Sequence, residues 1–152
     1  MTSIFLLILK YFVFFSIFVN DVKKKVIYDR DIFFLILIGL FFSIKFNDLE
    51  NYYLGVSGYL IPLLVLYILE DYFKKSLIGF GDIKLMMGIG GLFRYNGVEN
   101  IFKFYMILYI LSGIISLFLL FSKKFKKYDY IPFAPFIIVT YLFFDYLKVF
   151  FL

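Results

Sequence analysis

The feature that most constrains this 152-residue chain is an alternation of long apolar runs with short clusters of charge. Six runs stand out: Ile4–Val19, Ile32–Ile44, Tyr52–Leu69, Ile83–Phe93, Phe104–Phe121 and Ile131–Leu152. Hydrophobic residues reach 64% and charged residues 18%, against roughly 45–50% and 25% in soluble domains. No soluble core of this size hides so much apolar surface. The runs are therefore read as six transmembrane helices of one all-α, membrane-embedded domain over residues 1–152, with the lipid bilayer as its first partner. A soluble enzyme, a nucleic-acid binder and a disordered chain are excluded on the same ground. No basic region precedes the first run and no small-residue cleavage site follows it, so it reads as the first helix rather than a signal peptide.

The charges carry a direction. Lys23, Lys24, Lys25 and Arg30 follow the first run, Lys74, Lys75 and Lys84 the third, and Lys123, Lys124, Lys126 and Lys127 the fifth. The other flanks hold only Lys45, Arg94, Lys103 and Lys148, while Lys10 stands inside the first run. By the positive-inside bias, loops one, three and five face the cytoplasm and both termini lie outside, in a cytoplasmic (inner) membrane. The net charge of +5 thus orients the chain, and no nucleic-acid partner is needed to explain it.

Two runs fall short. About 20 helical residues are needed to span roughly 30 Å of hydrocarbon, and Ile32–Ile44 and Ile83–Phe93 supply 13 and 11. Each must extend backwards into polar residues, Asp21–Asp31 in one case and Leu77–Asp82 in the other. Polar backbone and acids survive at membrane depth only when buried in protein or lining a water-filled cavity. A cytoplasm-facing polar recess built from these two stretches is expected; ordinary tilt is the plain alternative.

With no His and no Cys in the chain, acid–base chemistry falls to carboxylates, Lys and Tyr. Asp48, Glu50 and Glu99 sit in outer loops, Glu70 and Asp71 close a helix, and Asp145 is placed to pair with Lys148 three residues on. Asp21 and Asp82 stand apart. Asp82 follows Gly79-Phe80-Gly81 where a helix begins, a position that an N-cap would also explain. Asp21 ends the first run, where an anion opposes its own helix dipole; a solvated partner of the Lys cluster is its plain reading. Together they fall on one membrane face. Two neighbouring carboxylates cannot both ionise cheaply, so one holds the proton the other lacks. That supplies a base to activate water and an acid for the leaving amine, without metal, histidine or cofactor.

At these residues the chain resembles the type IV prepilin peptidase family, membrane aspartyl peptidases with a glycine-x-glycine-aspartate motif. Gly79-Phe80-Gly81-Asp82-Ile83-Lys84-Leu85 matches that motif with its Lys-Leu continuation. Asp21 stands where the family has its first catalytic Asp, followed by basic residues and by Ile27-Tyr28-Asp29 in place of Ile-Pro-Asn. Ile131-Pro132-Phe133-Ala134-Pro135-Phe136 is similar to its Pro-Phe-x-Pro-Phe element. The resemblance implies an aspartic endopeptidase acting on prepilins or pseudopilins that carry a short basic leader, in pilus assembly or protein secretion. Asp21 and Asp82 would be catalytic; Gly79, Gly81, Lys84, Pro132 and Pro135 would be structural, the substrate-binding residues staying unassigned and no metal being held. Without Cys, and with no room for the zinc-binding loop of larger members, the chain is similar to a minimal peptidase core lacking the N-methylating activity. Gly39, Gly55, Gly58, Gly88, Gly91 and Gly113 are expected to make the close helix contacts in a chain with one Ala. Two other readings stand beside this one: a proton-coupled transporter using the same acids, and a scaffold that has lost catalysis.

Overall fold

The computed structural model describes residues 2–74, 76, 78–121 and 131–150, without side-chain detail at 2, 3, 120 and 147–150. Lys75 and the basic cluster Lys123–Lys127 lie outside the described residues. Six helices follow one another: α1 Thr2–Lys24, α2 Asp29–Lys45, α3 Leu49–Phe73, α4 Phe80–Phe93, α5 Val98–Phe121 and α6 Ala134–Phe150. Each corresponds to one apolar run, with its ends moved into the flanking polar residues. α2 starts at Asp29 and α4 at Phe80, as the two short runs required, whereas α6 starts three residues later than the run at Ile131.

The expectation of six spans needs qualifying. Three stretches, Ile4–Lys24, Leu49–Phe73 and Val98–Leu119, are long and apolar enough to cross a membrane. α4 has 14 residues, a rise of about 21 Å, and α2 and α6 have 17 each, a rise of about 25 Å. Large apolar side chains cover the outside of the bundle, including Phe12 at 68%, Phe15 at 67% and Phe118 at 71% exposure. That is the surface of a membrane protein.

α4 is the shortest helix and the most enclosed. Ile83, Leu85, Met86 and Ile89 are all within 2% of complete burial. It packs most extensively against α3 and α2, and also against α6. Glycine makes this possible: a Cβ placed on Gly90 would strike the carbonyl oxygen of Gly55 on α3, and one on Gly88 would come within 3.0 Å of Leu35 Cβ on α2. The helices therefore meet backbone to backbone, as small residues allow in membranes. Gly39 and Gly55 also meet backbone atoms of α4 or its C-cap, and Gly58, Gly88 and Gly91 are closely approached by side chains of neighbouring helices, but a Cβ on Gly113 would meet nothing within 4 Å. Gly113 is no packing glycine.

Aromatic rings fill the space that Ala would leave. Phe93 lies 4.7 Å from Tyr141 and 5.5 Å from both Tyr59 and Phe104, centroid to centroid. This cluster joins α3, α4, α5 and α6. At the α4 C-terminus, Arg94 reaches back to Asp48 at 3.0 Å and ties the α2–α3 turn to it. Asp145 pairs with Lys10 of α1 at 3.0 Å and is hydrogen-bonded to Tyr141 of its own helix; the side chain of Lys148, the partner expected from the sequence, lies outside the described residues.

Candidate active site

α1 presents one buried stripe, Lys10, Val13, Phe14, Ile17 and Asp21, at the three- and four-residue steps of a helix face. The stripe ends in a carboxylate that is 3% exposed. Its environment answers the puzzle of an anion at a helix C-terminus. Asp21 Oδ2 accepts a hydrogen bond from the Ala134 backbone N–H at 3.0 Å. Ala134 is the first residue of α6, so Asp21 caps a different helix from its own, at the end where a negative charge is favoured.

Asp82 reaches the same place from α4. Its own N–H bonds to the Gly79 carbonyl at 3.0 Å, and Gly79, not Asp82, is the N-cap residue. The simple capping explanation of Asp82 therefore fails. The acid sits in the first turn of α4, 2% exposed, with the positive helix end behind it. Both acids thus lie at helix N-termini, which offsets part of the cost of bringing two carboxyl groups together.

They face a common space. A cavity of about 290 Å³ is lined by Asp21, Lys25, Val26, Ile27, Gly79, Phe80, Gly81 and Asp82. At about 30 Å³ per water, it has room for several solvent molecules or a stretch of peptide. Among the described residues no Cα of α1 comes within 8 Å of α4, so the two acids reach the cavity from helices that do not pack directly against each other. Two larger recesses, about 560 and 390 Å³, lie on the apolar exterior and are lined by no carboxylate or amine. The expected polar recess is the small one.

The motif glycines divide their work. Gly79 has ordinary extended backbone, with φ −76° and ψ 140°, and lines the cavity. Gly81 allows close approach: a Cβ there would lie 3.3 Å from Ile27 Cβ, which brings the α1–α2 connection against the start of α4. Lys84 does not line the cavity. Its ammonium pairs with Asp29 at 2.7 Å and sits 5.0 Å from the centre of the Phe80 ring, locking the start of α2 to the start of α4. The Asp at the third position of Ile27-Tyr28-Asp29 is thereby accounted for. Pro135 is buried in the first turn of α6 and Pro132 precedes the helix; neither lines the cavity, and their element contributes through the Ala134 N–H between them.

Two features escape a reading of the sequence. Lys25, on the cavity wall, is left-handed with φ 55°, and its N–H bonds to the Asp21 carbonyl at 2.9 Å, closing α1 in the manner usually given to glycine. Asp31, which the sequence places in a polar flank, is 3% exposed. It accepts from Ser16 Oγ at 2.8 Å and from Arg30 Nε at 3.2 Å, and Asn20 Nδ2 donates in turn to Ser16. Ser16 and Asn20, one turn apart in an aromatic run, were the available signal. Among the described residues no group of three or more carboxylates, His or Cys is placed to hold a metal ion.

A family model described as the type IV leader peptidase family matches residues 7–125. The chain belongs to that family. The match contains both acids, Asp21 and Asp82, and two of the three motifs on which the resemblance rests. It makes this a leader-peptidase-like membrane protein and, in general terms, an aspartic peptidase. No curated protein and no solved structure gave a match. The element at residues 131–136 lies beyond the matched segment, yet it is bound to the candidate site through the Asp21–Ala134 hydrogen bond.

Proposed function

We propose that this leader peptidase is a six-span endopeptidase of the cytoplasmic membrane, a single domain that removes the short basic leader from type IV prepilins or pseudopilins at the cytoplasmic face. The observation that carries the reading is the convergence of Asp21 and Asp82, 61 residues apart, on one small cavity. The positive charge of the loops before α2 and α4 supports a cytoplasmic position for that cavity.

In the proposed reaction, the ionised carboxylate of the dyad takes a proton from a water in the cavity. The water oxygen attacks the scissile carbonyl carbon while the protonated carboxyl stabilises the oxygen of the tetrahedral intermediate. Collapse breaks the C–N bond, the amine leaves with a proton from the dyad, and the leader keeps the new carboxyl terminus. Asp21 stays oriented throughout by the Ala134 N–H, and Asp82 by the first turn of α4. Gly79 and Gly81 shape the walls, Lys84, Pro132 and Pro135 support the surrounding elements from outside the cavity, and none of the five touches a reacting atom.

Co-expression with a prepilin tests this. Asp21→Asn and Asp82→Asn are each expected to lower cleavage by about 10²–10⁴-fold with the protein still inserted in membranes. Substantial processing by either variant rules out the dyad.

A further inference from the structure

The contact between α1 and α6 has a regularity that the site does not explain. Lys10, Phe14, Ile17 and Asp21 are buried on α1; Ala134, Ile138 and Tyr141 are buried on α6, with Asp145 half-buried after them. The steps along α1 are four, three and four residues, and the steps back along α6 from Asp145 are the same. Three of these four rungs are direct contacts. Lys10 Nζ meets Asp145 Oδ2 at 3.0 Å, the Phe14 and Tyr141 rings lie 5.1 Å apart, and Ala134 N–H donates to Asp21 Oδ2 at 3.0 Å. The two polar rungs stand at the ends, eleven residues or about 16 Å apart, and the apolar rungs lie between.

Apolar helices in lipid gain little from the hydrophobic effect on meeting each other, so packing and polar contacts decide how they sit. The middle rungs, built from Phe, Ile and Tyr, discriminate poorly between one register and the next. A slip of one turn would carry Ala134 about 5.4 Å from Asp21, far beyond hydrogen-bond reach. The polar rung at the other end resists that slip. Lys10 is 4% exposed, and besides Asp145 its ammonium reaches the Tyr141 hydroxyl at 3.3 Å and the faces of Tyr11 and Tyr141. A cation so enclosed has no other place to go.

We propose that the Lys10–Asp145 pair is a positioning element for the site: it sets the register of α6 against α1 and so holds the Ala134 N–H on the Asp21 carboxylate. Neither residue touches substrate. The role rests on Asp21 acting in leader cleavage, as argued above.

The test measures kcat and KM for prepilin cleavage in membranes by the unaltered chain, Lys10→Met, Asp145→Asn, and the exchange of Lys10→Asp with Asp145→Lys. Each single change is expected to lower kcat by about 10–100-fold with KM nearly constant, because geometry and not binding is lost. The exchange is expected to recover most of that loss. Single variants with full kcat, or an exchange no better than the singles, overturn the proposal. A second measurement works even on an inactive protein. Because the chain has no Cys, Ile17→Cys with Ile138→Cys reports the register by oxidative cross-linking. The disulfide is expected in the otherwise native chain and is expected to be lost on adding Lys10→Met; its absence from the first or persistence in the second overturns the register. If the cross-links behave as expected but the unaltered chain cleaves no prepilin, the peptidase reading falls and the register assignment stands.

Discussion

Replacing Asp21 with Asn and, separately, with Ala separates its chemistry from its contribution to folding. Both changes remove the ionisable group, so both are expected to lower cleavage by about 10²–10⁴-fold. Their effects on stability differ because of one bond. The Ala134 N–H, at the buried start of α6, finds its acceptor in Asp21 Oδ2 at 3.0 Å. An Asn side chain still offers a carbonyl oxygen at that point, and loses only the charge–dipole attraction, about 0.3–1 kcal/mol. Ala offers nothing, and a buried N–H left unpaired costs about 1–3 kcal/mol. The Ala variant should therefore be less stable than the Asn variant by about 1–2 kcal/mol, or about 2–8 °C in thermal midpoint for a chain of this size. Thermal unfolding in detergent, read alongside cleavage of a co-expressed prepilin, measures both quantities. Equal midpoints for the two variants would refute the claim that Asp21 caps α6. An Asn variant that cleaves would refute its part in catalysis.

Other substitutions probe the framework. Lys25 is left-handed with φ 55°, so Lys25→Gly is expected to stabilise the fold by about 0.5–1 kcal/mol, while Lys25→Ala, which keeps the Cβ, is not; thermal midpoints decide it. Gly90→Ala would drive a Cβ into the Gly55 carbonyl oxygen, a backbone atom that cannot swing aside, and is expected to cost about 1–3 kcal/mol. Gly113→Ala enters open space and is expected to gain about 0.5–1 kcal/mol from helix propensity. The same sign for both glycines in a denaturation series would contradict the assigned α3–α4 contact.

Six helices were legible in the sequence because apolar runs and charged breaks record them directly, and the two runs that were too short correctly announced a polar recess. The acids were legible by elimination, since a chain without His or Cys leaves few groups for chemistry. What could not be read was partnership. Apolar residues cover the outward and inward faces of these helices alike, so periodicity marks no buried side and does not say which helix meets which. Asp21 looked misplaced because its own helix was the only one in view; its partner is the start of α6, 113 residues later. The partner of Asp145 across the bundle was hidden for the same reason: Lys10 of α1 meets it at 3.0 Å, while the side chain of Lys148 lies outside the described residues. Asp31 was hidden by position: at the edge of an apolar run it reads as a solvated acid, and its only trace in the sequence is the pair of polar residues Ser16 and Asn20 on the helix that it meets.

The bond between Asp21 and Ala134 also has a history in time. Asp21 belongs to α1 and Ala134 to α6, which is made later. At about 5–20 residues per second, a chain needs about 6–23 s to lengthen by the 113 residues between them. Through that interval the acid waits without the helix end it will cap. The candidate site is therefore complete only once α6 has been made, and a nascent chain that stops short of Ala134 carries both carboxylates but not the cap on Asp21.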